Sequence, residues 1–314
     1  AVSTYQAGKL VFISPVDNDR LSQLPRTFSR AMAIGTQGPQ MAVATLDTVE
    51  LLVNDPRLAA NYPPKPNTYD GLYVPRVTYY TGRIDCHGLE WGREGMWAVN
   101  TAFGCLSILS PHYSFEPKWK PPFVSAIAPE DRCHLNGVAM EAGAPRYATT
   151  LGHDDERESW RKTLPNGGTL IDVHTNEVLL SDLPMPHSPR LIDGRLYMLL
   201  SATGEVVSVD PQARTYEVIQ RLVGFTRGMT YYRDHLFVAL SKLRQNSSTF
   251  KDLPIAQKAT WAGVVIIHLP TGAVVGQLRY HQSVDEIFDL AAIPEFLRPG
   301  IVSAEKDTRG HAVT

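Results

Sequence analysis

The chain has 314 residues, 43% of them hydrophobic and 20% charged, with a formal net charge of −2. That length and apolar content suit one large globular domain. The near-neutral charge leaves no electrostatic footprint for nucleic acid or for an anionic membrane surface. No apolar stretch approaches the roughly 18 residues that a membrane-crossing helix needs.

The first residues, AVSTYQAGKLVF, lack the basic-then-apolar pattern of a signal peptide. Three cysteines, Cys86, Cys105 and Cys133, cannot all pair within the chain. Reduced thiols and a cytoplasmic location are the corresponding expectation. The NSS at 246–248 matches a glycosylation sequon, which a cytoplasmic chain would not use.

Taken in order, the predicted elements are short strands punctuated by turns. KLVFIS (9–14) and a strand near 20–24 come first. RAMAIGTQGPQMAVAT (30–45) then places two apolar runs around a Gly-Pro turn. Val77–Tyr80 reads as a strand, and HGLEWGREGMWAVN (87–100) repeats the hairpin outline with a histidine in front. YSFEPKWKPPF (113–123), rich in aromatic and proline residues, is expected to pack across strand edges. NGVAMEAGAPRYATT (136–150), HSPRLIDGRLYMLLS (187–201) and RGMTYYRDHLFVALS (227–241) are further copies. Thr169–Val173, Glu205–Val209 and Val264–Leu269 read as strands between and after them, and EIFDLAAIP opens a last candidate at Glu286. Paired apolar runs around a Gly, Asp or Asn turn are a hairpin signature.

The copies begin at 30, 87, 136, 187, 227 and 286, in steps of 57, 49, 51, 40 and 59 residues, with a return of 58 through the two ends. A period near 40–50 residues carrying about four short strands defines a β-propeller blade. The expected fold is therefore an all-β, six-bladed propeller occupying 1–314 as a single domain. Its last blade is closed by strands from both ends, EIFDLAAI with GIVSA as a further candidate on one side and KLVFIS on the other. Such closure removes an exposed sheet edge. A β-sandwich or an irregular α+β domain is the alternative.

In a propeller the first strand of each blade lines the central channel. The leading residues Arg30, His87, Asn136 (with His134 beside it), His187, Arg227 and Glu286 are therefore expected at one mouth. Charge in such a place is costly unless paired or ligated. Three histidines and a carboxylate suit a transition metal, Fe, Mn or Zn, with His87, His134, His187 and Glu286 as ligands and a position left open. A metal-free polar site and a purely hydrogen-bonded ring of blade corners are the alternatives. Arg30 and Arg227, with Arg190 nearby, carry planar forks suited to a carboxylate, phosphate or sulfate. Alternatively the two arginines neutralise Asp285, Glu286 or Asp289. His112, His153 and His281 fall off the ring. Cys86 and Cys133, each next to a ring histidine, are expected as small buried thiols, since neighbours on a strand point to opposite faces. The long connections 152–167 and 242–263 are candidate lids.

PEDRCHLNG (129–137), MPHSPR (185–190), GFTRGM (224–229) and VDEIFDL (284–290) resemble a bacterial family known mainly as a domain of unknown function, sometimes fused to tetratricopeptide repeats. The resemblance spans nearly the whole chain and implies a propeller-like fold. It implies no activity. There is no Gly-rich phosphate loop, serine nucleophile elbow or zinc-finger spacing. The residues themselves point to a metal-dependent enzyme acting on a small anionic molecule, or on a modified amino acid or sugar. Glu286, Arg227 and Arg30 would be catalytic, and Arg30, Arg227, Arg190 and Asn136 would contact substrate. Hydrolase, lyase, isomerase and oxygenase chemistry all stay open. The alternative is a non-catalytic propeller that binds a peptide or saccharide.

Overall fold

A computed structural model describes residues 1–62, 65–243 and 250–302. The NSS at 246–248 and the end of GIVSA lie outside them. Six sheets follow one another around an axis. Blade 1 runs Ile34–Gln37, Gln40–Ala44, Thr48–Asn54, Gly71–Tyr80 from the axis outward, and blade 2 runs Cys86–Gly92, Gly95–Asn100, Cys105–Ile108, Glu116–Trp119. Blade 3 comprises Leu135–Glu141, Ala144–Thr150, Gly168–Asp172 and Glu177–Leu183. Blade 4 comprises Pro186–Ile192, Arg195–Leu200, Glu205–Asp210 and Thr215–Arg221. Blade 5 is Phe225–Tyr232, His235–Ser241, Ala262–His268 and Ala273–Tyr280. Blade 6 joins the two ends of the described chain, with Asp289–Leu290 innermost, then Val2–Thr4, Lys9–Pro15 and Leu21–Thr27. The expected six-bladed propeller with a shared last blade is the observed fold.

One detail of the closure differs. The strand containing Gly300 and Ile301 does not join blade 6. Pro299–Ile301 pairs in parallel with Gly71–Tyr80 as a fifth, outer strand of blade 1. The inner strand of blade 6 ends at Leu290, so the chain has left that blade and reaches the neighbouring rim.

The core is divided into wedges between blades, because successive residues on a strand face opposite sides. In Gly95–Asn100, Met96 and Ala98 pack with Ala42, Ala44 and Val49 of blade 1. Trp97 and Val99 pack instead with Leu135, Val138 and Ala148 of blade 3. The same alternation builds the wedges between blades 3 and 4, 4 and 5, 5 and 6, and 6 and 1. Glu116–Trp119, from the aromatic stretch, forms the outer strand of blade 2, and its Trp119 Nε1 reaches Asn176 Oδ1 of blade 3 at 2.7 Å.

Five of the six junctions carry a second device near the axis. A side chain of one blade donates to an inner-strand or approach carbonyl of the next. Ser3 Oγ bonds Met32 O at 2.5 Å, Thr101 Oγ1 bonds Leu135 O at 2.5 Å, and Ser201 Oγ bonds Thr226 O at 2.5 Å. Ser241 Oγ bonds Ile287 O at 3.1 Å, and Asn136 Nδ2 bonds Pro186 O at 2.9 Å. Inner strands also approach each other closely. A Cβ at Gly228 would lie 2.6 Å from Asp289 Cα, which explains a glycine after Arg227.

Blade closure predicts a sharp contrast in denaturant unfolding. Removal of residues 1–14 takes two strands from blade 6 and should abolish the cooperative transition. Met41→Ala, at a fully buried position, should lower stability by about 2–5 kcal/mol. Tyr113→Ala, 69% exposed, should stay within about 0.5 kcal/mol of the parent. Equal midpoints for Met41→Ala and the parent would contradict the wedge core.

Candidate functional site

Four inner strands begin with a bulge. The pairing register shifts between Cys86 and Gly88, Leu135 and Gly137, His187 and Arg190, and Thr226 and Met229. Bulges re-aim side chains and are common beside active sites. His87, Asn136, His187 and Thr226 are the second residues of their strands. Arg227 therefore stands one position further along than the sequence period placed it. His134 precedes its strand in a left-handed conformation (φ 50), as Asp85 (φ 49) and Met185 (φ 58) precede theirs. Arg30 and Glu286 lie outside the inner strands, which begin only at Ile34 and Asp289. These two blades are entered by longer approaches, and the approaches carry the side chains.

The interblade bonds determine the tautomers of two histidines. His87 Nδ1 lies 2.9 Å from Asp85 O and 2.8 Å from Thr101 Oγ1. The Thr101 hydroxyl gives its only hydrogen to Leu135 O, so toward Nδ1 it can only accept. Nδ1 must carry the hydrogen, and Nε2 presents a lone pair. Arg227 Nη2 faces that lone pair at 3.3 Å. His187 repeats the arrangement, with Nδ1 against Met185 O at 3.0 Å and Ser201 Oγ at 2.8 Å. Burial pushes the pKa of His87 down to about 4, helped by His134 and Arg227 against the pull of Asp85. His187 is lowered by burial and by Arg227. Both rings are neutral at physiological pH.

His134 is oriented differently. Its Nδ1 donates to the Asp131 carboxylate, at 2.9 and 3.1 Å. Trp160, from the 3-10 turn Ser159–Lys162, lies 4.3 Å from the imidazole centre and donates Nε1 to Asp131 at 3.0 Å. The ring of His134 meets that of His87 edge-on at 4.8 Å.

Around these rings the remaining groups converge. The Arg227 guanidinium lies 4.3 Å from the Phe288 ring and 5.8 Å from Tyr5, and Arg30 lies 5.5 Å from Tyr5 on the exposed side. Asp85 is half-exposed. Partial burial pushes its pKa up, but His87, His134, Arg227 and Arg30 together hold it below the usual value. Glu286 Oε2 accepts from Gln6 N at 3.3 Å. Burial raises its pKa to about 7, against the opposing pull of Arg227. Glu286 Oε1 and Arg227 Nε are both buried without a hydrogen-bond partner.

Of the alternative neutralising partners, Glu286 feels Arg227, while the two aspartates are engaged elsewhere. Asp285 lies 3.7 Å from Lys242, and Asp289 accepts from the backbone of Ile34 at 2.9 Å and Leu290 at 2.8 Å. Arg190 is engaged elsewhere, 3.3 Å from Glu90 along the channel. Asn136 is also committed to the fold, donating to Pro186 O and accepting from Thr149. Below the mouth, His87, Asn136, His187, Arg190, Arg227 and Asp289 line a cavity of about 20 Å³, room for roughly one water.

Among the described residues, no group of three or more His, Cys, Asp or Glu side chains is placed to hold a metal ion. His87, His134, His187 and Glu286 are thus not gathered into such a group in this arrangement. A positive guanidinium occupies the direction in which His87 would offer its lone pair. The cysteines are buried thiols, with Cys86 and Cys133 pushed up to about 12 by burial. His112, His153 and His281 are exposed. The connection 152–167 and the described part of 242–263 pack into an apolar cap, where Trp160 joins Leu253, Ile255, Ala259 and Phe225; residues 244–249 of the second candidate lid lie outside the described residues.

A six-bladed propeller with a polar, histidine- and arginine-lined mouth is the class that fold and site define. The chain belongs to the family described as Domain of unknown function (DUF4915), which matches residues 1–302. No curated protein matches it. Among solved structures, one titled as a nidogen/laminin complex is similar over 90% of this chain and 96% of its own, at 10% identity and a TM-score of 0.56. A computationally designed protein, Ika8, aligns over 87% and 73% at 7% identity with a TM-score of 0.42. The first likeness concerns the fold alone. No helix among the described residues is long and apolar enough to cross a membrane.

Titration separates the buried acid from the buried base. Glu286 holds its proton more tightly in the folded chain than at its ordinary value of 4.5. Stability is therefore lost as pH rises from about 4.5 to about 7, by on the order of 3 kcal/mol. His87 has the opposite sign, and its contribution is lost as pH falls from 6.5 to about 4. Glu286→Gln should remove only the first slope. Its unfolding free energy relative to the parent should rise between pH 5 and 8. A difference that does not change with pH would contradict a raised Glu286.

Proposed function

We propose that the mouth is a metal-free acid–base site for a small molecule bearing a carboxylate or phosphate. The carrying observation is that Arg227 Nε and Glu286 Oε1 are buried at one mouth with neither given a hydrogen-bond partner. A buried unpaired donor and acceptor are costly, and a ligand with complementary groups relieves both once small side-chain shifts open them to the mouth. In this reading the anion lies against Arg227 and Arg30, whose guanidinium planes are braced by Phe288 and Tyr5. Glu286, near half-ionised at neutral pH, gives or takes a proton at the ligand. The Asp131-oriented His134 supplies a second proton acceptor through Nε2, and Asp85 stays ionised. Two carboxyls driven apart in pKa mark an acid and a base in one site.

The shared-metal reading requires three of the ring residues around one ion, and a binding propeller without chemistry requires no raised acid. Titration of tryptophan emission, with Trp160 as the reporter on His134, tests the proposal using inorganic phosphate and malonate. Saturable binding is expected. Arg227→Lys loses the fork and should weaken it about tenfold or more, in line with one charge-assisted hydrogen bond of ~1.5–3 kcal/mol. Glu286→Gln should keep binding and abolish the pH dependence near 7 of malonate, which is itself fully ionised there. Binding untouched by Arg227→Lys, or about one equivalent of iron, manganese or zinc in untagged protein, would overturn the metal-free anion site.

A further inference from the structure

Blade 6 is built unlike the others. Its innermost strand, Asp289–Leu290, is two residues long and pairs with the three-residue Val2–Thr4. Inner strands elsewhere have four to eight residues. After Leu290 the chain leaves the blade as a strap, residues 291–298, and continues into the fifth strand of blade 1. The wedge between blades 5 and 6 is consequently filled at the mouth end, by Val2, Val11, Ala239, Val264, Ile287 and Leu290. Further from the mouth, Ile13, Phe237 and Leu278 are only partly buried.

A cavity of about 380 Å³ opens there, walled by the two blades and the strap. Its volume falls within the ~300–1,000 Å³ of small-molecule pockets. Ile13 and Leu21 line it from blade 6, Phe237 and Leu278 from blade 5, and Ile293 and Phe296 from the strap. No Asp, Glu, Lys, Arg or His lines it, and its polar side chains, among them Ser14, Thr230 and Gln277, are neutral. The strap is tied at both ends. Ala291 N donates to Ala1 O at 3.0 Å, and the Asp70 carboxylate accepts from Leu297 N at 2.6 Å and Arg298 N at 3.0 Å. The cavity is thus a preformed feature of an anchored backbone.

We propose that this interblade cavity binds a small uncharged apolar molecule, an aliphatic or aromatic body with a hydroxyl or carbonyl as its polar group. An apolar occupant covers the half-exposed side chains of both blades. A charged end group would lose hydration and find no free counter-charge, because burial lowers the Ala1 amine to about 5 and Arg279, beside the lining Gln277, is engaged by Gln277 Oε1 at 3.2 Å and by the Trp261 ring. The neutral Ser14, Thr230 and Gln277 suit a single uncharged hydrogen-bonding group. The site is independent of the mouth and of any chemistry there.

Nile red, a neutral apolar fluorophore, is the probe, with 1-decanol and decanoate as competitors that share a chain and differ in charge. The expected result is one saturable dye site per chain, displaced at least tenfold more effectively by decanol than by decanoate. Ala292→Trp, which fills the cavity from the strap, should weaken dye binding at least tenfold with the melting temperature unchanged. Gln277→Lys, at an exposed lining position, should narrow the decanol–decanoate gap and decides the matter if the tryptophan variant does not fold. Absence of saturable binding, equal competition by decanoate, or dye affinity unchanged in both variants would overturn the proposal. So would a dimer that binds no dye and that Leu297→Asp at the rim returns to monomers, since a second copy would then cover the cavity.

Discussion

Every blade of this molecule owes its stability to its neighbours, because the apolar clusters lie mainly between sheets. A ring of this kind is only as secure as its last junction. Here that junction adds a few polar ties at the axis to its apolar wedge. Ser3 gives its hydroxyl hydrogen to Met32 O and accepts from Asp289 N at 3.1 Å, so one side chain ties blades 6 and 1 together. The Asp289 carboxylate accepts from Ile34 N on the same junction. Pro299–Ile301 reinforces it at the rim. Axis and rim are thereby both clamped where the chain ends meet.

The same interblade bonds prepare the chemistry. The Thr101 and Ser201 hydroxyls hold the next blade's backbone, and because their hydrogens are committed, they fix the proton on the near nitrogen of His87 and His187. A structural clasp and a defined tautomer are one arrangement. It also separates the histidines by role. His87 and His187 are buried, neutral and oriented by hydroxyls and carbonyls, whereas His134 is oriented by a carboxylate and stacked on Trp160. Imidazoles that look alike in the sequence are thus not equivalent in the mouth.

The repeat period made the fold legible, because four-stranded units of similar length recur and turn residues mark their hairpins. It also brought Arg30, His87, His134, Arg227 and Glu286 to one mouth. What it could not show was register. Bulges add residues at the start of four inner strands, so a period counted along the chain drifts by one at Arg227 and by two at His134. Trp160 lies on the candidate lid 152–167, whereas Asp131, Asp85, Tyr5 and Phe288 were missed as site residues. Two of them had a signal, since a carboxylate precedes the Cys-His pair in both DCH (85–87) and DRCH (131–134). Tyr5 and Phe288 had none, because their role comes from the meeting of the two ends. The commitments of Arg190 to Glu90 and of Asn136 to Pro186 are tertiary facts that no local pattern carries.

The distribution of the mouth residues has an evolutionary consequence. Arg30 comes from the approach to blade 1, His87 from blade 2, His134 from blade 3, His187 from blade 4, Arg227 from blade 5 and Glu286 from the approach to blade 6. Each is borne by its own module, and Arg30 and Arg227 are absent from the apolar wedges that hold those modules together. A lineage can therefore exchange one contributor at a time and sample new ligands while the scaffold stays folded. Descendants of one ancestor would diverge first at these approach and bulge positions, and last at Ser3 and Asp289, where a change would open the ring.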